Sequence, residues 1–357
     1  MPQDNDIVIG KDVLELLSGA MYADPMCIFR EYIQNAVDSI EEAEVQGLFT
    51  DNLKPKIEIY QDPLTRCVTI RDNGTAIKKS IFKRRLTSFG ASQKRGTDAR
   101  GFRGVGRLAG LGYCRELVFR SRTQGSETVS ELRWDCVELK KLLNDHECTD
   151  NLREVVSKII SVNHEIETKE DDPERFFEVE IVKAIRLGND LLLNEQILEN
   201  YLSQVAPVPF HPDFQFGKEI NEKLSNHGLG KTFDIFLQGR TSEPIYRLER
   251  NEHQLSETSS TRFTSIWQIE IPGINDETAA IGWILHSDYS GAFPKASGIG
   301  GIRIRAGNIQ IGDEKILEHA FPEARFNLWT VGEFHITSKK LLPNGRRDDL
   351  EHNLHYD

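Results

Sequence analysis

No run of apolar residues in this 357-residue sequence is long enough to cross a bilayer, and the opening MPQDNDIVIG has neither the basic nor the apolar region of a secretory signal. No membrane is expected as a partner, and the expected location is the cytoplasm. Cysteine is scarce and unpatterned: Cys27, Cys67, Cys114, Cys136 and Cys148 form no CxxC pair and have no histidines at zinc-finger spacing. That excludes a disulfide framework or structural zinc site legible in the sequence and leaves free thiols. Positive charge is in deficit, with 44 Lys and Arg against 56 Asp and Glu, a net charge of −12 and a pI near 5.4. Broad nucleic-acid binding gains most of its affinity by neutralising phosphates, so the balance argues against it. There is no internal repeat and no low-complexity tract. What is present, 38% hydrophobic and 28% charged residues, is the composition of a folded chain with length for two domains.

The first half alternates helical and strand patterns. A helix is expected over about residues 24–44, with Asp24 as N-cap and Pro25 in its first turn, followed by strands at KIEIY and CVTIRD. Further strand patterns occur at LVFRSR and FFEVEIVKAI, separated by a charged, helix-prone stretch over 138–172 that reads as an insertion. Prolines 207, 209 and 212 follow the helical LLLNEQILENYLSQV, which places a domain boundary near residue 205. The expected domains are 1–205 and 206–357. The second carries strand patterns KTFDIFLQG, SIWQIEI, AAIGWILHS and GIRIRAGNIQI, then a polar end with several arginines. The expected fold class is α/β.

Three short elements carry chemistry. In the helix FREYIQNAVDSIEEAE, Glu31, Asn35 and Asp38 fall within about 60° of one another at 100° per residue, opposite Phe29, Ile33, Ala36, Val37 and Ile40. A carboxylate can polarise a water for attack on phosphorus, and an amide oxygen can ligate magnesium. A solvated helix face shows the same pattern. In CVTIRDNGTAI a strand runs into Asp72-Asn73-Gly74, where a carboxylate can accept from an exocyclic amine such as N6 of adenine and glycine admits a planar base, although Asp-Asn-Gly is also an ordinary turn. In GFRGVGRLAG, Gly101, Gly104 and Gly106 form a GxxGxG arrangement before an expected helix, which suits a phosphate chain without being a dinucleotide fingerprint or a Walker A loop. Around it, Lys78 to Arg107 holds ten Lys or Arg against one acid, Asp98, a local excess that either binds an anion or is simply solvated.

Taken in order, these elements are the signature of the GHKL ATPase superfamily. The chain resembles its heat-shock-ninety chaperone (HtpG-like) and MORC branches, because LLSGAMYADPMCIFREYIQNAVDSI follows their first helices nearly residue for residue. The resemblance implies a GHKL (Bergerat) α/β sandwich followed by an α/β transducer domain, with ATP and Mg2+ as ligands. It implies Glu31 as general base, Asn35 as magnesium ligand, Asp38 as a further polar group near the nucleotide, and Asp72 as reader of the adenine amine with Gly74 beneath the base. Gly101, Gly104, Val105 and Gly106 would cradle the phosphates under a lid over about 80–100, in which Lys94 would reach them.

Two departures matter. Ala76 stands where the family often has a second glycine, and Phe177 stands about where it has a threonine near the adenine. At the far end, Leu342-Pro343-Asn344-Gly345-Arg346-Arg347 resembles the chaperones' arginine loop with one residue fewer after the proline. By that resemblance Arg347, or else Arg346, reaches the terminal phosphate, while a MutL-like arrangement would use Lys339 or Lys340. The implied function is Mg-dependent ATP hydrolysis driving lid closure and dimerisation, a chaperone-like switch acting as a homodimer on an unidentified client. The alternative is a MORC- or MutL-like clamp associated with DNA, with a role in defence against foreign DNA.

Overall fold

A computed structural model describes residues 9–16, 24–89, 104–237, 243–274 and 277–356. The α/β expectation holds, and the chain divides into two compact units. The first comprises residues 1–198 and 235–242, the second residues 199–234 and 243–357.

In the first unit the elements run from a single-turn helix α1 (Val13–Glu15) to the long α2 (Cys27–Val45), then β1 (Ile57–Asp62), β2 (Cys67–Asp72) and the short α3 (Phe82–Thr87). A 3-10 helix over Gly106–Gly112 leads into β3 (Glu116–Arg122), β4 (Thr128–Asp135), α4 (Cys136–Asn144), α5 (Leu152–Ile159), β5 (Ile160–Glu167) and β6 (Phe176–Val182). α6 (Glu195–Val205) contains the point where the units divide. The strands form a seven-stranded sheet in the order β5, β4, β3, β6, β2, β1, β7, where β7 (Ile235–Leu237) pairs parallel to β1.

Three features depart from the pattern of the sequence. The stretch 138–172 is integrated rather than inserted, because β5 pairs with β4 at the sheet's edge. The strand pattern KTFDIFLQG supplies β7 to the first unit's sheet, although it lies beyond the prolines. Regular helix in α2 starts at Cys27 rather than Asp24, yet Asp24 still serves its start: Oδ1 accepts from the Met26 amide at 2.9 Å, in the turn ahead of the helix.

Alternation in the strands explains the two faces of this sheet. Ile57, Ile59, Val68, Ile70, Leu117, Phe119, Val179 and Ile181 are buried, as are Ile28, Phe29, Ile33, Val37 and Ile40 of α2. The intervening residues build a cross-strand ladder in which Arg71, Glu178, Arg120 and Glu131 are successive Cα partners. Arg71 meets Glu178 at 2.6 Å, Arg120 meets Glu178 at 2.7 Å and Glu131 at 2.8 Å, and Arg133 meets Glu131 at 2.6 Å. Opposite charges placed directly across strands favour this register over a one-residue slip, which would set them against the apolar set.

The second unit adds α7 (Gly217–Ser225) and a six-stranded sheet made of β8 (Glu252–Ser256), β9 (Ser259–Pro272), β10 (Thr278–Ser287), β11 (Gly301–Ala306), β12 (Ile309–Ile311) and β13 (Val331–Ile336). Their order is β12, β11, β13, β10, β9, β8. Its apolar core includes Phe210, Phe214, Phe263, Ile281, Trp283 and Phe293. A second interior is polar: Glu333 on β13 pairs with Arg247 and, at 2.5 Å, with Arg305, while Arg247 also donates to Asn308 Oδ1 at 2.6 Å. Burial pushes the Glu333 carboxyl up, but the two guanidinium groups outweigh it and hold the group well below the usual carboxylate range. Breaking such a buried network by removing one member leaves an uncompensated charge, at about 3–5 kcal/mol, so it pins one arrangement of β11 and β13.

Candidate nucleotide site

The site is built on α2. The residues predicted for its polar face are enclosed rather than solvated: Glu31 and Asp38 are buried and Asn35 half-buried. The neighbouring Gln34 is buried too, and its Oε1 has no hydrogen-bond partner among the described residues. A helix face this polar is costly to bury without a function or a ligand to satisfy it.

The Asp-Asn-Gly turn is fixed against this helix. Asp72 ends β2, is buried, and accepts from the Gly74 amide at 2.9 Å through Oδ1. A Cβ at position 74 would stand 2.2 Å from Ser39 Oγ and 2.5 Å from the Ser39 carbonyl carbon. Glycine is therefore required here by the approach of the turn to α2, whatever a ligand demands. The Thr75 amide completes the join by donating to Ser39 O and Oγ, each at 3.1 Å. Asn73 secures the other side, its Oδ1 accepting from the Lys56 amide at 3.0 Å and its Nδ2 donating to Lys54 O at 2.8 Å. Arg175, which no motif marked, is buried and donates to the carbonyls of Asn73 and Gly74, at 3.0 Å and 2.5 Å respectively. Burial lowers its pKa from the ordinary arginine value, while the nearby Asp72 charge acts the other way.

Ala76, at the place of the missing glycine, has φ of +59°. The backbone thus keeps a left-handed conformation that glycine adopts freely and alanine adopts at about 1–2 kcal/mol. Ala76→Gly should leave the denaturation midpoint unchanged or raise it, even though it deletes a buried methyl that ordinarily contributes about 0.8 kcal/mol. A clear loss of stability in urea titrations would show that the strain is absent in solution. Phe177 is the Cα partner of Asp72 on the adjacent strand and stacks on Phe119 at 6.2 Å, so no hydroxyl is offered from that position. Ser121, also in register with Phe177, has its hydroxyl committed to the Ile77 backbone, at 2.7 Å to the amide and 3.1 Å to the carbonyl.

The glycine loop meets the other end of the same helix face. Gly104 has φ of +71°, and Val105 and Gly106 follow into the 3-10 helix, a tighter and shorter element than the helix expected there. A Cβ at Gly106 would lie 2.1 Å from Glu31 Oε2, so the general-base candidate rests directly against the loop. Tyr32 locks the pair: its hydroxyl donates to Arg107 O at 3.1 Å and accepts from the Gly110 amide at 3.0 Å. Lys94 and Gly101, expected in the lid and the loop, lie outside the described residues, as does most of the proposed lid.

The arginine loop belongs to the second unit. Asn344 and Asp349 close it through a 2.9 Å backbone bond, and Arg347, with φ of +58°, is tied to Gly312 through its carbonyl at 2.9 Å. Arg347 is buried, whereas Arg346, Lys339 and Lys340 are exposed.

Residues 27–165 match the family described as histidine kinase-, DNA gyrase B-, and HSP90-like ATPase. Similar curated proteins are HtpG chaperones. That of Photorhabdus laumondii is 26% identical over 205 residues, covering 46% of this chain and 32% of the relative. That of Burkholderia lata is 25% identical over 142 residues, covering 35% and 22%, and that of Helicobacter hepaticus 27% over 132 residues, covering 32% and 21%. The matches thus span about a third or less of those relatives' own length.

Proposed function

We propose that this chain, whose residues 27–165 form a GHKL-type, HSP90-like ATPase domain, binds ATP in the site on α2 and hydrolyses it to ADP and phosphate, using the cycle as a chaperone-like conformational switch. The observation that carries the reading is that the Asp-Asn-Gly turn and the glycine loop both meet the helix that carries the third motif, with Gly74 against Ser39 and Gly106 against the Glu31 carboxylate. In this reading Asp72 accepts from the adenine amine. Glu31 takes the proton from a water attacking the terminal phosphorus, while Gly104, Val105 and Gly106 line the phosphates with Gly101 and Lys94. Asp38 completes the polar wall.

Magnesium fits the donors present. Asn35 offers one hard amide oxygen a turn from Glu31, and among the described residues there is no cluster of three or more His, Cys, Asp or Glu that would form an all-protein cage. That suits an ion that keeps its waters and takes phosphate oxygens as its other ligands. When bound, magnesium neutralises charge on the phosphates. A nucleotide-dependent homodimer and a protein client belong to the same proposal, by similarity to the HtpG relatives.

Calorimetry tests the site. Asp72→Asn should weaken ATP binding roughly 10–100-fold, because an amide presents a donor as readily as an acceptor to the adenine amine and a buried mismatch costs about 1–3 kcal/mol. Parental affinity in this variant would remove Asp72 from the base site, and a wild-type protein that does not bind ATP would refute the reading.

A further inference from the structure

Arg107, one residue beyond the glycine loop, differs from the paired arginines of the first unit's sheet and turn. Arg66, Arg71, Arg120 and Arg133 each pair with at least one carboxylate, at 2.7, 2.6, 2.7 and 2.6 Å. Arg175 and Arg122 bond several backbone carbonyls. Among the described residues Arg107 has one acceptor, the carbonyl of Ser88 at the C-cap of α3, and its Nε is buried with no partner. The charge nearest in effect is of the same sign, Arg85, and α3 itself reads FKRRLT, with three cations and no acid. Arg107 is half-buried; burial, with Arg85 adding to it, depresses its pKa to about 10, so its surroundings work against the charge.

Holding a half-buried cation beside a charge of the same sign, with no carboxylate against it among the described residues, is unfavourable. The position of Arg107 supplies a reason for tolerating it. Its backbone is held by Tyr32, the residue after Glu31, and Gly106 before it touches the Glu31 carboxylate. Arg107 therefore sits beside the glycine loop at the Glu31 end of α2, the end that the reading above assigns to the phosphates. We propose that Arg107 is a phosphate-binding residue, whose guanidinium takes the polyphosphate of the bound nucleotide as its missing counter-ion while holding the end of α3 through Ser88. This rests on the ATP-binding reading and deepens it. A guanidinium suits the task because its planar fork of donors can satisfy a backbone carbonyl and phosphate oxygens at once.

The proposal predicts effects of opposite sign on the free and the bound protein. Arg107→Met removes a half-buried charge that no described carboxylate balances, so the melting temperature without nucleotide should be unchanged or higher. Affinity for a non-hydrolysable ATP analogue should nevertheless fall about tenfold or more, the usual consequence of losing a charge-assisted hydrogen bond, while affinity for adenosine stays parental. Arg107→Gln retains a donor for Ser88 without the charge and should lower the ratio of analogue to adenosine affinity to a similar extent. Scanning fluorimetry and calorimetry on the whole chain read both. If either folded variant keeps the parental ratio, Arg107 does not bind the phosphates and serves only to tie Ser88. If the wild-type protein binds neither the analogue nor adenosine, the ATP reading fails with it, an outcome distinct from a wild type that binds and variants that do not change.

Discussion

Glu31→Ala should bind ATP with near-parental affinity and hydrolyse it roughly 10²–10⁴-fold more slowly, the contribution of a positioned general base that adds little to ground-state binding. The expectation follows from how the carboxylate is held. Glu31 is buried on α2, its Oε1 lies 3.9 Å from Arg30 Nε, and its Oε2 occupies space that only a glycine at position 106 leaves open. Gly106→Ala is the companion variant. The added methyl would fall 2.1 Å from Oε2, and since the obstacle is the end of a flexible side chain, the protein should fold with the carboxylate displaced. Misplacement of a reacting group by about 1 Å can cost about 10²-fold, so turnover should fall here as well with Glu31 still present. Phosphate release measured at saturating ATP decides the matter. Parental turnover in Glu31→Ala would assign water activation to another group.

If Arg347 serves ATP hydrolysis, as the resemblance of its loop implies, Arg347→Ala should bind ATP nearly normally and turn it over at least tenfold more slowly, against roughly 10³–10⁵ for arginines delivered to phosphoryl groups in other enzymes. The substitution is clean at the backbone, since Arg347 has φ of +58° and alanine carries the same Cβ into that conformation. The bond from the Gly312 amide to its carbonyl uses no side-chain atom. Arg346→Ala is the internal control, being a change at an exposed position in the same loop. A loss confined to Arg346 would shift the register of the loop by one residue, and a loss confined to Lys339→Ala or Lys340→Ala would indicate a MutL-like arrangement. Unchanged rates in all four would mean that the second unit contributes no group to the reaction.

Much of the first unit is legible in the sequence because its signals are local. The 3.6-residue period of FREYIQNAVDSI sets which side of α2 packs, and the alternation in CVTIRD and FEVEIV sets the faces of the sheet. The strand over Thr128–Asp135 and the edge strand over Ile160–Glu167 were not legible, the first because TVSELRWD mixes polar residues of the charge ladder into its pattern, the second because half its residues face solvent. The polar interior of the second unit gave no signal, since Arg247, Arg305 and Glu333 read as surface residues until β11 and β13 lie side by side.

By itself, then, the sequence determined the α/β class, the helix register that sets Glu31, Asn35 and Asp38 on one face, and the turn at Asp72, each a matter of periodicity or turn chemistry within a dozen residues. Tertiary structure alone decided that this face is enclosed, and that Gly74 and Gly106 are needed against Ser39 and Glu31. It also decided that Arg175 clamps the Asp-Asn-Gly turn from about a hundred residues away, that Arg107 meets no carboxylate among the described residues, and that β7 returns across the proline-marked boundary to pair with β1. Periodicity records which side of an element is apolar, but not which distant backbone will press against it, and the closeness of that approach is what distinguishes a glycine in a turn from a glycine in a site.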